Sequence, residues 1–221
     1  MDKQLIIDAI ITQGILPLYY HENANTSIAL AKTLYKAGIR VIEYTNRGEY
    51  AIGNFKALIA ERNKTMPNLL LGIGTIKTIN DANNFLNAGA DFIICPIVLS
   101  GVAEVVHQAN KLWIPGCMTV TEIAIAEAAG AKMVKLFPGN ILGAAFVSAI
   151  KELFPQLLFM PTGGVDTNKE SIATWFKAGV AAVGMGSKII SKQQMDSKDY
   201  ATIEADTKLV LSLIQQIKKE L

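Results

Sequence analysis

Histidine and cysteine are nearly missing from this sequence, with two of each in 221 residues. His21 and His107 belong to no HxH or HExxH pattern, so no metal site is expected. His107 reads as an ordinary helix residue, while His21 falls at the end of a strand. Cys95 and Cys117 form no CxxC pair and give no disulfide framework. Such usage suits a reducing cytoplasm and two small buried core side chains, since free cysteine is among the most buried types. Long apolar runs are also missing: charge, glycine or proline interrupts each before 18 residues, so no membrane span is expected. No excess of charge exists either. Lys and Arg number 21 against 19 acids and are scattered, which is no footprint for nucleic acid. The opening segment "MDKQLIIDAIITQ" (1–13) mixes both charges with spaced apolar residues, as a short amphipathic helix does and a signal peptide does not. What is abundant is apolar residues, 51% of the chain, enough for the large core of one domain spanning 1–221.

One phrase recurs: "KAGIRVIE" (36–43), "NAGADFII" (87–94), "AAGAKMVK" (128–135) and "KAGVAAVG" (177–184). Each follows a helical pattern. Gly38, Gly89, Gly130 and Gly179 are placed to close those helices in the left-handed conformation. The apolar run after each glycine reads as a buried strand. Between them lie "ILPLYY" (15–20), "LLLGIGT" (69–75), "LWIPGCM" (112–118) and "LLFMPTGG" (157–164), giving eight strands. Helical patterns at 26–37, 48–62, 78–88, 119–129, 142–153 and 168–178 separate them. Strands that alternate with helices, without alternating polarity, imply parallel pairing and covered faces. Eight such units imply an α/β fold, a single (β/α)8 TIM barrel with an N-terminal helix and a C-terminal amphipathic helix at 200–221. The rival, an open doubly wound sheet, usually carries an early GxGxxG turn, and "GIGTIK" (72–77) lacks the third glycine.

In such barrels the C-terminal strand ends face the site, and here those ends are polar. Lys135 interrupts an apolar strand, sharing parity with Met133 and Phe137. Lysines are rarely buried without a partner. Desolvation disfavours the ammonium form, and a neutral amine can attack a ketone to form a Schiff base. The plain alternative is a structural pair with Glu43. Glu43, Thr45 and Arg47 share one parity at the end of strand two. Glu43 can serve as a buried base, and the planar fork of Arg47 matches a carboxylate. Thr75 and Thr162 offer hydroxyls at strand ends, where a simple capping role is the alternative. The turns "PTGG" and "GMGS" after strands seven and eight suit a phosphate, with a helix expected to start near residue 187 and add its positive end.

Together, "IEYTNR", "GIGT", "CP", "PGCMTVTE", "VKLFPG", "PTGGV" and "GMGS" resemble the 2-keto-3-deoxy-6-phosphogluconate (KDPG)/4-hydroxy-2-oxoglutarate (KHG) aldolase family, in order from about residue 7 to 190. The resemblance implies a class I aldolase on a (β/α)8 barrel, acting on a small 2-keto acid or phosphosugar acid, with no cofactor and no metal. Lys135 would be the Schiff-base lysine and Glu43 the catalytic carboxylate. Arg47, Thr75, Pro96, Phe137 and Thr162 would bind substrate, and Gly163, Gly164, Gly186 and Ser187 the phosphate. A homotrimer is implied, with no nucleic-acid or membrane partner. The expected reaction cleaves 2-keto-3-deoxy-6-phosphogluconate to pyruvate and glyceraldehyde 3-phosphate. The same chemistry on 4-hydroxy-2-oxoglutarate or 2-keto-3-deoxy-6-phosphogalactonate is an alternative. A different class, a phosphate-binding barrel isomerase with Glu43 as base or a non-catalytic phosphosugar-binding barrel, would form no reducible imine. The chain departs from the family pattern at Cys95-Pro96-Ile97, where S/T-P-G or T-P-N is common. It departs again at Asn46, commonly apolar, and at "GMGS", more often GGS or GLGS. These changes bear on the aldehyde end of the substrate.

Overall fold

The structure, a computed structural model, describes residues 2–221; Met1, the first residue of the expected 1–13 helix, lies outside the described residues. The chain begins with α1 (Lys3–Gln13), β1 (Ile15–Tyr19), α2 (Ala24–Lys36), β2 (Val41–Thr45), α3 (Ala51–Thr65), β3 (Leu70–Gly74), α4 (Ile79–Asn87), β4 (Phe92–Ile94) and α5 (Ser100–Gln108). It continues with β5 (Leu112–Ile114), β6 (Gly116–Cys117), α6 (Val120–Ala128), β7 (Met133–Leu136), α7 (Gly139–Ile150), β8 (Leu158–Pro161), α8 (Lys169–Ala178), β9 (Val183–Met185), α9 (Lys192–Asp196) and α10 (Tyr200–Glu220).

All strand pairings are parallel. They form a curled α/β structure of two sheets, ordered β5-β4-β3-β2-β1-β9 and β6-β7-β8. The strand expected at 112–118 is split, because Pro115 has no N–H to give the ladder. The sheets meet through Lys135 N–H to Pro115 O (2.8 Å) and Ala181 N–H to Phe159 O (2.9 Å), and through a bridge between Thr162 and Gly184.

The recurring glycines do what their place requires. Gly38, Gly89, Gly130 and Gly179 have φ of 109°, 98°, 87° and 101°, a conformation that costs other residues more. Side-chain alternation then sorts each strand into two layers. Tyr44 and Val134 join the core under the helices, while Val41 and Met133 face the interior of the curl. There α1 closes the lower end with Ile6, Ile7 and Ile10 against Leu16, Phe92 and Met133. Asp2 caps α1 at Gln4 N–H, 2.9 Å, and Gly14 closes it at φ 74°.

Two expectations are corrected. The helix expected at 142–153 starts earlier, at Gly139, is interrupted at Gly143 (φ 71°, ψ 165°) and tightens into a 3₁₀ turn at Lys151–Leu153. No helix starts near residue 187. The N–H groups of Ile189 and Ile190 both reach Gly186 O, at 3.1 and 3.0 Å, in a turn that sinks both side chains into the core. The helix begins at Lys192, after a capping box between Ser191 and Gln194. Among the described residues no helix is long and apolar enough to cross a membrane.

Candidate active site

The interior of the curl is apolar at its lower level and charged one pleat higher. On β2, Glu43 stands two residues above Val41; on β7, Lys135 stands two above Met133. Their neighbours Ile42, Tyr44, Val134 and Leu136 point the other way, into the helix layer. Lys135 Nζ lies 3.4 Å from Glu43 Oε1, with the two side chains 7% and 1% exposed. That separation is at the long end for a charge-assisted hydrogen bond. Glu43 Oε2 has no partner among the described residues, and neither has Thr162 Oγ1, although both are buried. Buried polar atoms are nearly always paired, so each of these orphans marks a place for a further polar atom. The site requires glycine at 74. Gly74 pairs with Thr45 across the sheet, and a Cβ there would overlap the Glu43 carboxylate.

Beyond the pair, neither member of which lines it, opens a cleft of about 390 Å³. It gathers six of the expected residues: Arg47, Phe137, Thr162, Gly163, Gly186 and Ser187. Phe137 links the cleft to the buried pair, its ring centroid 5.5 Å from Lys135 Nζ. Gly163 and Gly164 both take positive φ, 84° and 76°. Gly164 lies against Asn140, whose Cα would be 2.5 Å from a Cβ at 164, and it does not line the cleft. Thr75 and Pro96 sit just past β3 and β4, half-buried, and do not line it either. Thr75 holds φ 62°, a genuine outlier for a β-branched residue. Pro96 backs onto Gly116, where a Cβ would strike the Pro96 carbonyl.

Sequence reading missed the other six lining residues, Leu18, Tyr19, Tyr20, Ile190, Lys192 and Met195. Tyr20 ends the "ILPLYY" strand and so carried a signal. Lys192 and Met195 come from α9, beyond the expected motif. Neither Arg47 nor Lys192 has a carboxylate within 4.0 Å among the described residues, and no acid lines the cleft.

Both cysteines are free and buried. Burial pushes the Cys95 thiol up to about 11, opposed in part by the charge of Lys135. Burial, helped by Glu122, pushes Cys117 up to about 12. His21 Nδ1 accepts from Asn23 N–H at 3.0 Å. His107, in the last turn of α5, lies 3.0 Å from Ala129 O through Nε2. Among the described residues no three His, Cys, Asp or Glu side chains gather as a metal would need.

Residues 6–206 match the family model for KDPG and KHG aldolase. Over 213 residues the chain is 28% identical to the KHG/KDPG aldolase of Escherichia coli K12, covering 96% of each chain. It is 30% identical over 212 residues to the 2-dehydro-3-deoxy-phosphogluconate aldolase of Treponema pallidum, covering 95% of this chain and 97% of that one. Its fold matches a crystal structure of KDPG aldolase from Legionella pneumophila, in which pyruvate is captured at low pH as a covalent carbinolamine. That match has a TM-score of 0.84 and 27% identity, over 92% of this chain and 97% of the other.

Proposed function

This chain belongs to the KDPG and KHG aldolase family, and from that premise we propose that it cleaves 2-keto-3-deoxy-6-phosphogluconate to pyruvate and glyceraldehyde 3-phosphate through an imine on Lys135. It is an aldolase, a carbon–carbon lyase. The observation that carries the imine reading is the buried Lys135–Glu43 pair at 3.4 Å, with Glu43 Oε2 left unpartnered. The carbinolamine captured in the Legionella relative supports it.

Lys135 Nζ adds to the C2 ketone, and loss of water gives an iminium. Glu43 carries protons in that dehydration and takes the proton of the C4 hydroxyl. The C3–C4 bonding pair moves onto the iminium, which leaves an enamine and releases the aldehyde. Protonation at C3 and addition of water return pyruvate and the free lysine. Arg47, Thr75 and Thr162 hold the pyruvate end, with Pro96 and Phe137 as walls. Gly163, Gly186 and Ser187 hold the phosphate, with Gly164 completing the turn that carries Gly163, glycine letting backbone N–H groups come close.

The same proposal takes residues 1–221 as one domain. Its two sheets close as eight staves of a (β/α)8 barrel, β5 and β6 forming one stave. The backbone bonds at Pro115 and Phe159 and the Thr162–Gly184 bridge support that closure. A homotrimer is proposed, for which Ile97, Met118, Val120 and Ile141, all exposed at this rim, supply apolar surface. A cytoplasmic location is proposed from the two free thiols. The test is to incubate with pyruvate, reduce with borohydride and map the peptides by mass. An adduct on Lys135 is expected; an adduct on Lys132 or Lys188, or none, overturns the reading.

A further inference from the structure

We propose that Lys192 is the specificity-determining cation of the cleft, reading the doubly charged phosphate end of the substrate; this rests on the aldolase reading above. Lys192 lines the same cleft as Gly163, Gly186 and Ser187. No carboxylate of the described residues pairs with it, whereas Lys188, four residues earlier, is held by Asp166 at 3.0 Å. With no acid in the lining, Arg47 and Lys192 are the cleft's two charges, and both have the same sign.

Their placement follows from the sheet. Arg47 follows β2 and Lys192 follows β9, and β1 lies between those two strands. Two strand spacings put the ends of β2 and β9 roughly 10 Å apart, so the two cations reach the cleft from strands that are not neighbours. The planar fork of Arg47 suits a carboxylate, and the compact ammonium of Lys192 suits a phosphate as a point charge.

The backbone that carries Lys192 is fixed before any ligand arrives. The turn at Gly186 precedes it. Ser191 Oγ accepts from Gln194 N–H at 3.2 Å, and Gln194 Oε1 accepts from Ser191 N–H at 2.9 Å. Gln194 also donates to Asp206 of α10 at 3.3 Å. Three residues on, Met195 faces the same cleft, as i,i+3 spacing on one helix face requires. The chain therefore delivers a charge and a polarisable thioether on a short, capped segment.

The experiment compares kcat/KM for 2-keto-3-deoxy-6-phosphogluconate with that for unphosphorylated 2-keto-3-deoxygluconate. It uses wild type, Lys192→Met, Lys192→Arg and the neighbouring control Lys188→Met. Lys192→Met is expected to lower the ratio by about tenfold, the effect of one charge-assisted contact at a partly exposed cation. It should also weaken competitive inhibition by inorganic phosphate. Lys192→Arg should restore most of both, and Lys188→Met should leave the ratio alone. An unchanged ratio in Lys192→Met, or an equal fall in Lys188→Met, overturns the proposal. Pyruvate trapping by the wild type separates the two ideas. Trapping on Lys135 with an unmoved ratio sinks the Lys192 role alone, while no trapping sinks the aldolase reading and this proposal with it.

Discussion

Arg62 and Asp91 meet at 2.7 Å, and Lys135 and Glu43 stand 3.4 Å apart; both pairs are largely buried. The first pair has further partners on both sides. Asp91 Oδ2 also accepts from Leu71 N–H at 2.8 Å, and Arg62 Nη1 also donates to Leu69 O at 3.0 Å. It ties α3 and the start of β4 to the lower end of β3. The second pair spans the interior of the curled sheet with one carboxylate oxygen idle. A buried charge costs several kcal/mol unless it is paired and hydrogen-bonded. The tight pair meets that cost with no buried side-chain polar atom left unpartnered. The loose pair meets it incompletely, with Glu43 Oε2 unpartnered. The difference separates a pair that positions a strand from a pair that keeps an unpartnered acceptor.

The comparison breaks most visibly at the loose pair. Lys135→Met is expected to abolish borohydride-trapped pyruvate and reduce cleavage to background, measured by peptide mass and by pyruvate release. Glu43→Gln keeps the shape and removes the base. It should lower kcat by roughly 10²–10⁴-fold while pyruvate binding changes far less. If kcat holds and only KM rises, Glu43 is a binding group. At the tight pair the expected effect is on stability instead. Arg62→Met should cost about 3–5 kcal/mol in denaturant unfolding, yet the folded variant should still trap pyruvate on Lys135. Loss of trapping at full stability would make that pair part of the chemistry.

The smallest effect concerns the thiols, of which Cys95 feels the charge of Lys135. Burial raises Cys95 to about 11 and Cys117 to about 12, whereas an unfolded thiol ionises at about 8.5. Above that pH the unfolded chain gives up protons that the native state keeps, so stability falls as pH rises toward 11. Unfolding midpoints between pH 8 and 10 should decline in wild type and flatten in the Cys95→Ala/Cys117→Ala double variant. An equal slope in both would mean that other groups set it.

Much of this could be read in the sequence, and the limits have physical causes. The four glycine phrases announced helix ends and strands because both signals are local. Strand parity put Glu43 and Lys135 on inward faces for the same reason. The broken strand at Pro115 was marked by a residue that cannot donate to a ladder, but the apolar run around it hid the break. Gly74 was visible inside "GIGT". Its reason, room for a carboxylate on the neighbouring strand, depends on a register no local pattern carries. Lys192 and Met195 were out of reach because the pairing of β1 with β9 joins the two ends of the chain. The expected helix near residue 187 failed for a similar reason. Ile189 and Ile190 are drawn into the core, and the turn they make delays the helix to Lys192.

Thr75 keeps its backbone in a region that disfavours its own branched side chain. Holding an L-residue there costs about 1–2 kcal/mol, and glycine would relieve it without moving the chain. A library at this position, sorted for heat resistance alone, should therefore drift to glycine or asparagine. Sorted for aldol turnover, it should return to threonine. The two sorts would disagree at one codon, and their disagreement would measure how much durability the protein forgoes to keep a hydroxyl at the mouth of β3.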